Sequence, residues 1–157
     1  MSAHEGAESA PATPITGVTV KEGLPMTFPA LTHVAVTVTD LAVSTPWYRA
    51  LFGADPALDE DTDAGFHHVV WQLGADTLFG IHQHSTEAPR EKFSEFRAGL
   101  DHVAFGCASR AELQTWVERL DELGLSHGGI VDAHYGSGVS FRDPDGIALE
   151  FFFAPPG

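Results

Sequence analysis

The amino-acid sequence predicts an α+β fold made from two copies of one unit, each a strand, a helix and three further strands. Two observations support this fold class. LTHVAV at residues 31–36 returns as LDHVAF at residues 100–105, which places His102 69 residues after His33. The same spacing relates Trp47 to Trp116 and Leu51 to Leu120 in the helix that follows. Because one such unit cannot bury both its sheet and its helix, the two copies are expected to pair.

The composition changes near residue 28, which divides the chain into a tail and a folded domain. We expect residues 1–28 to form a flexible N-terminal tail, because they are rich in Ala, Ser, Pro and Gly and lack hydrophobic periodicity. The domain is predicted to span residues 29–157, with one unit at about 30–86 and the other at about 99–154. A polar link containing Pro89 joins the two units.

The first unit begins with ALTHVAVTV, whose alternation of apolar and polar residues is typical of a strand. DLAVSTPWYRALFG then predicts a helix with Asp40 as N-cap and Gly53 just past its end. Pro46 predicts an irregular first turn in that helix. GFHHVVWQL and DTLFGIHQH predict two more strands. We interpret the acidic DEDTD at residues 59–63 as a solvated loop, since it lacks the ligand spacing of a calcium loop.

The second unit follows the same order. GLDHVAFGC predicts a strand, and SRAELQTWVERLDELG predicts a helix with a capping box from Ser109 to Glu112 and Gly124 at its end. HGGIVDA, GSGVSFRD and GIALEFFF then predict three strands. The last two strands are joined by the turn residues Asp143-Pro144-Asp145-Gly146.

Charge and hydropathy exclude several classes of partner. The formal net charge of −14 repels phosphate backbones, so no nucleic-acid partner is expected. No apolar run is long enough to cross a bilayer and no signal segment opens the chain, so we expect a cytoplasmic protein without a membrane partner. The single cysteine, Cys107, is interpreted as structural.

Three polar side chains fall on strand faces that otherwise carry small residues. Side chains alternate along a strand, so His33 shares a face with Ala35, and His102 shares one with Ala104. On the last strand, Leu149 and Phe151 are predicted to lie on one face and Glu150 on the other. Two imidazoles and one carboxylate suit a divalent ion, which would also neutralise a carboxylate placed among phenylalanines. The alternative is a pair of buried, hydrogen-bonded histidines.

The motifs LTHVAV, GLDHVAF and DPDGIALE resemble those of the vicinal oxygen chelate superfamily, over residues 30–154. This superfamily includes glyoxalases, extradiol dioxygenases, fosfomycin-resistance enzymes and bleomycin-binding proteins. The resemblance implies two βαβββ modules that form a cupped mixed sheet with the helices on the outside. It also implies that His33, His102 and Glu150 hold a divalent metal such as Fe, Mn, Zn or Ni.

The sequence departs from the family pattern at two positions. Glyoxalases of this group commonly place a glutamate where our alignment puts Gly80, and His82 is the next residue on that strand face. Dioxygenases carry a tyrosine where this chain has Ser140, with Tyr135 nearby. His82 and Tyr135 are therefore our candidates for catalytic proton transfer, and His82 is also a candidate fourth ligand.

These observations together predict a metal-dependent enzyme of the lyase, dioxygenase or transferase type. It would act on a small substrate that chelates the metal through neighbouring oxygens. The alternatives are a non-catalytic small-molecule or drug-binding protein that uses the same cup, and a regulatory remnant with an empty cup. A homodimer is expected, and the cup closes either within one chain or across the dimer.

Overall fold

The computed structural model describes residues 30–85 and 91–155. The predicted tail at residues 1–28 and the link residue Pro89 lie outside the described residues. The described part confirms the α+β fold of two strand–helix–three-strand units. Its elements are β1 (His33–Thr37), α1 (Leu41–Phe52), β2 (Leu58–Asp61), β3 (His67–Leu73), β4 (Thr77–Gln83), β5 (Val103–Gly106), α2 (Arg110–Glu122), β6 (His127–Ala133), β7 (Gly136–Arg142) and β8 (Ala148–Phe153).

The repeat in the sequence is also a repeat in topology. Each unit forms a four-stranded sheet, with the order β1-β4-β3-β2 in the first and β5-β8-β7-β6 in the second. The first strand of each unit pairs in parallel with the last, and the remaining neighbours are antiparallel. A parallel pair needs a long crossover connection, which the helix and the intervening strands supply.

The helix ends follow the sequence signals. The Asp40 side chain accepts a hydrogen bond from the Ala42 amide at 2.9 Å, and Gly53 ends α1 with a left-handed φ of 64°. The Ser109 hydroxyl accepts from the Glu112 amide at 3.0 Å and caps α2. The prediction of an irregular first turn in α1 is wrong. Pro46 lies on the exposed side of a continuous helix, where water can bond the carbonyl that loses its donor.

The acidic segment that we interpreted as a loop contains a strand. Residues Leu58–Asp61 form β2, which pairs antiparallel with β3, although all four residues are exposed. An edge strand exposed on both faces has no apolar alternation, so the hydrophobic pattern gave no signal. The His67 imidazole reinforces this edge, because its Nε2 and Nδ1 lie 2.8 Å and 2.9 Å from Asp59 Oδ1 and Asp61 Oδ1.

The two units share one hydrophobic core. Tyr48 of α1 is fully buried and contacts the rings of Trp71 and Phe79 in the first sheet. Phe52 of the same helix packs edge-on against Phe105 of the second unit, with ring centroids 5.5 Å apart. Helix α1 therefore touches both units with its buried side, and its other side remains exposed.

A polar turn of the second unit docks on the first unit. Asp143 Oδ1 accepts hydrogen bonds from the amides of Asp145 and Ile147, and its Oδ2 accepts from the Tyr48 hydroxyl at 3.0 Å. The Asp145 carboxylate accepts from the amide of Thr39 at 2.8 Å and from its hydroxyl. Burial, reinforced by Asp143, raises the pKa of Tyr48 far above its usual range, so the hydroxyl remains a donor.

We expect Tyr48→Phe to lower the free energy of unfolding by about 1–3 kcal/mol, because the buried Asp143 carboxylate loses a donor. Urea denaturation monitored by circular dichroism measures the change. The matched control is Tyr135→Phe, which alters a tyrosine that is 64% exposed and should leave stability nearly unchanged. Equal stability of the two variants would contradict the assigned role of this bond.

The ion pairs of His67 predict a pH dependence of stability. Hydrogen bonds to Asp59, then to Asp61, raise the pKa of His67 above the ordinary 6.5. The folded state therefore holds the proton more tightly than the unfolded chain does, which stabilises it below pH 6.5. This stabilisation is lost as the pH rises through the folded-state pKa.

Comparison of the wild type with His67→Gln by urea denaturation at a series of pH values tests this. The difference in unfolding free energy should be at most about 1 kcal/mol at low pH, since the pair is exposed, and should shrink as the pH rises. His134→Gln removes an exposed turn histidine and serves as the control. A difference that grows with pH refutes the assignment.

Candidate metal-binding site

His102 and Glu150 lie side by side on the second sheet. Glu150 is opposite Ala104 of β5 and Ser140 of β7, and His102 directly precedes β5. The Nε2 atom of His102 is 3.7 Å from Glu150 Oε2. Atoms that bind one ion at zinc distances are themselves about 3–4 Å apart. These two donors therefore fit two ligands of a single divalent ion.

Asp101 orients the ring of His102. Its Oδ1 atom lies 2.6 Å from His102 Nδ1. With the proton on Nδ1, the ring donates to Asp101 and presents the lone pair of Nε2 towards Glu150. A carboxylate behind a ligating imidazole is the usual partner in such sites, and sequence analysis missed it. The Asp-His dipeptide at residues 101–102 was the available signal.

Glycines make room for the side chains on this side of the sheet, which we term the Glu150 face and which carries Ala104, Gly138, Ser140, Glu150 and Phe152. A Cβ atom added to Gly138 would overlap Glu150 Oε1, and one added to Gly136 would overlap the ring of Phe152. The carboxylate of Glu150 thus occupies space that only glycine at position 138 leaves open.

Two hollows flank His102 and Glu150 on this face. The tyrosine hollow, about 400 Å³, is also lined by Tyr135 and Phe152. The Tyr135 ring stacks on Phe152 with centroids 6.3 Å apart and lies at the rim. The arginine hollow, about 430 Å³, is lined instead by Glu95 and Arg142. The structure therefore brings Tyr135 to the same face as two of the three sequence-predicted ligands.

His33 and His82 lie on the first sheet, on the side that we term the His33 face and that carries His33, Ala35, Thr37, Gly80 and His82. Thr37 pairs with His82, and Ala35 pairs with Gly80. The imidazole of His82 bends over Gly80, with Nε2 3.3 Å from the place of a Cβ atom there. His82 thus fills the space of the side chain that Gly80 lacks.

The surroundings of His82 keep its ring neutral. Burial, followed by the proximity of His68, His84 and His33, lowers the pKa of His82 below its ordinary value. Phe66 stacks on the imidazole with centroids 4.7 Å apart and an interplanar angle of 23°. A neutral, positioned imidazole suits a metal ligand or a proton acceptor.

The candidate residues thus fall into two groups within one chain. Val36 of β1 and Phe151 of β8 belong to the common core, so the His33 face and the Glu150 face both point away from it. Among residues 30–85 and 91–155, no three His, Cys, Asp or Glu side chains are grouped to hold a metal ion. One chain therefore assembles the pair His102 and Glu150, with His33 on the other sheet.

Comparison with known families and proteins agrees with this fold. The family model described as the Glyoxalase/Bleomycin resistance protein/Dioxygenase superfamily matches residues 30–151. A crystal structure of a glyoxylase/bleomycin resistance protein/dioxygenase domain from Frankia sp. EAN1pec superimposes with a TM-score of 0.73 and 27% identity, covering 82% of this chain and 100% of that one. None of the described helices is long and apolar enough to span a membrane.

Curated relatives of different activities are also similar. Metallothiol transferase FosB of Staphylococcus haemolyticus is 26% identical over 122 residues, or 76% of this chain and 80% of that protein. The putative ring-cleaving dioxygenase MhqA of Bacillus subtilis (strain 168) is 34% identical over 71 residues, or 45% of this chain. The aligned segment spans only 22% of MhqA.

We expect Gly138→Ala to weaken the binding of Zn²⁺ at least about tenfold, because the new methyl group displaces the Glu150 carboxylate. Calorimetric titration of the metal-free protein measures the affinity. Gly128→Ala is the control, since a Cβ atom there meets nothing within 4 Å. Equal affinities of the two variants for Zn²⁺ would show that Gly138 does not position Glu150 for metal binding.

Proposed function

The chain belongs to the Glyoxalase/Bleomycin resistance protein/Dioxygenase superfamily, and from this we propose that it is a metal-dependent enzyme. Its substrate would be a small molecule that chelates a divalent ion through two neighbouring oxygens. The observation that supports this most is the 3.7 Å spacing of His102 Nε2 and Glu150 Oε2, with Asp101 behind the imidazole. Two donor groups held in this way would form part of a preorganised metal site.

His33, His102 and Glu150 would hold the ion, which is Fe, Mn, Zn or Ni. When bound, such an ion acts as a Lewis acid that stabilises negative charge on a chelated substrate oxygen. The donor set supports this assignment, because two imidazoles and one carboxylate leave coordination positions open to a substrate.

We infer that the three ligands come from two copies of the chain. The His33 face and the Glu150 face point away from the common core, so pairing with a second copy is the direct way to bring them together. Both faces expose apolar side chains that such pairing would cover, Leu58 and Leu78 on the first sheet and Val131 on the second. A two-fold dimer would make two equal sites, each with His33 from one copy.

His82 and Tyr135 would move protons in this shared site. His82 would come from the same copy as His33, and its neutral ring would take a proton from the substrate at neutral pH. Tyr135 would come with Glu150, and its hydroxyl at the rim would donate to a substrate oxygen. The stacked rings of Phe66 and Phe152 position the two groups.

A binding protein without catalysis is the second candidate. The aromatic side of the tyrosine hollow, formed by Tyr135 and Phe152, gives a surface on which a planar drug or metabolite would stack. Ser140 also stands where dioxygenases of this group carry a tyrosine. In this case, ligand binding should persist in metal-free protein.

Mixing two variants tests the shared site. His33→Ala and Glu150→Gln should each abolish stoichiometric metal in a pure preparation. A heterodimer of the two variants contains one site with both mutations and one site with neither. If both variants dimerise alike, unfolding and refolding an equimolar mixture should restore about a quarter of wild-type metal content. Elemental analysis after gel filtration measures the metal content.

Each possible result of mixing has a clear meaning. Metal absent from the mixture indicates a site within one chain, and full metal in His33→Ala refutes the ligand set. Activity of metal-loaded protein on methylglyoxal–thiol adducts, catechols and fosfomycin then separates the lyase, dioxygenase and transferase types. Turnover of none of them, with ligand binding in metal-free protein, favours the binding protein.

A further inference from the structure

One arginine lies on the Glu150 face beside the proposed ligands. In the β7–β8 register Ser140 is opposite Glu150 and Arg142 is opposite Ala148, and side chains two residues apart on a strand share a face. Arg142 and Glu150 both line the arginine hollow. Among the described residues that line this hollow, Arg142 is the only lysine or arginine.

The guanidinium of Arg142 already holds a carboxylate. Its Nη2 donates to Glu95 Oε1 at 2.7 Å, and Nη1 lies 3.4 Å from Glu95 Oε2. Nη1 also donates to the carbonyl of Gly146 at 3.1 Å, which fixes the group from the side of the turn. This two-pronged arrangement is the one by which arginine recognises carboxylates.

Glu95 is a replaceable partner of this arginine. It belongs to residues 91–99, which join the two units and contain no strand or helix. The side chains of Arg142 and Glu95 are 49% and 30% exposed. Ion pairs with this exposure contribute little to stability, so exchange of Glu95 for another carboxylate would cost little.

Apart from Arg142, the charged side chains that line the arginine hollow are carboxylates. Glu95, Asp101 and Glu150 all line the same hollow, in a chain whose net charge is −14. An uncharged substrate needs no cation beside the metal ligands. An anionic substrate would be repelled by these carboxylates unless a fixed cation lay close to its own negative group.

We propose that the substrate carries a carboxylate that takes the place of Glu95 on Arg142. The inference rests on the proposed function for the chelating end of the substrate. In the strand register, the backbone position of Arg142 is displaced from that of Glu150 by two residues, or about 7 Å. The guanidinium lies further along, against the Gly146 carbonyl, so the carboxylate and the two neighbouring oxygens would lie at opposite ends of the substrate.

The competing explanation is that the ion pair only anchors residues 91–99. The two explanations predict different effects of two matched variants on the binding of a carboxylate ligand. Arg142→Gln and Glu95→Gln both break the ion pair and release residues 91–99. An anchor predicts the same effect from both variants. Carboxylate exchange predicts opposite effects, because one variant removes the receptor and the other removes its competitor.

The probes are 3,4-dihydroxybenzoate and its uncharged analogue 3,4-dihydroxybenzamide, titrated calorimetrically into the Zn²⁺-loaded full chain. Wild type should prefer the acid to the amide by about tenfold. Arg142→Gln should reduce this preference to about one, and Glu95→Gln should increase it several-fold. The affinity for the amide should be similar in all three proteins.

An equal preference in wild type and Arg142→Gln overturns the proposal, as does a loss of acid binding in both variants. If Arg142→Gln does not fold, Arg142→Lys replaces it and should still lower the preference, because lysine lacks the planar fork. If the chain takes up no Zn²⁺, the proposed function fails by itself. Benzoate and benzamide titrated into metal-free protein then test Arg142 alone, and no preference for benzoate overturns the inference.

Discussion

The docking of the Asp143–Ile147 turn on the first unit is the constraint on which the rest of the structure depends. Tyr48 and Asp143 form a buried hydrogen bond, and Asp145 accepts two hydrogen bonds from Thr39. Buried polar groups must be paired, so an arrangement that kept both groups buried but apart would leave Asp143 Oδ2 and the Tyr48 hydroxyl without this partner. The bond therefore fixes which sides of the two units meet, and it joins residues 95 positions apart in the chain.

This docking leaves the His33 face and the Glu150 face free for function. The residues that define these two faces are not members of the buried hydrophobic cluster. Gly138 leaves room for the carboxylate of Glu150, and Gly80 leaves room for the ring of His82. Gly138 lies on the strand beside that of Glu150, whereas Gly80 and His82 lie on the same strand, β4. In both places a missing side chain leaves the space that a nearby polar group occupies.

In our proposals, electrostatics would give the Glu150 face its selectivity. The chain is strongly acidic, and carboxylates of Glu95, Asp101 and Glu150 line one hollow. A divalent ion at His102 and Glu150 and the guanidinium of Arg142 would be the two positive centres of this face. In our proposals the first binds the chelating oxygens and the second binds a carboxylate. The distance between these two centres would therefore select substrates by the separation of their chelating oxygens and their carboxylate.

The sequence by itself determined the repeat, the two helices with their caps, and the strand faces that carry His33, His102 and Glu150. These are local properties, since alternation and capping depend on residues a few positions apart. It predicted three strands after the first helix but did not locate β2, because an exposed edge strand is held by its neighbour and not by its own pattern. Only the tertiary structure decided that His102 meets Glu150 while His33 lies on another sheet. The approach of His102 to Glu150 depends on the parallel pairing of β5 with β8. The placement of His33 relative to them depends on how the two units pack at Tyr48 and Asp143. Both are contacts between distant residues that no local pattern encodes.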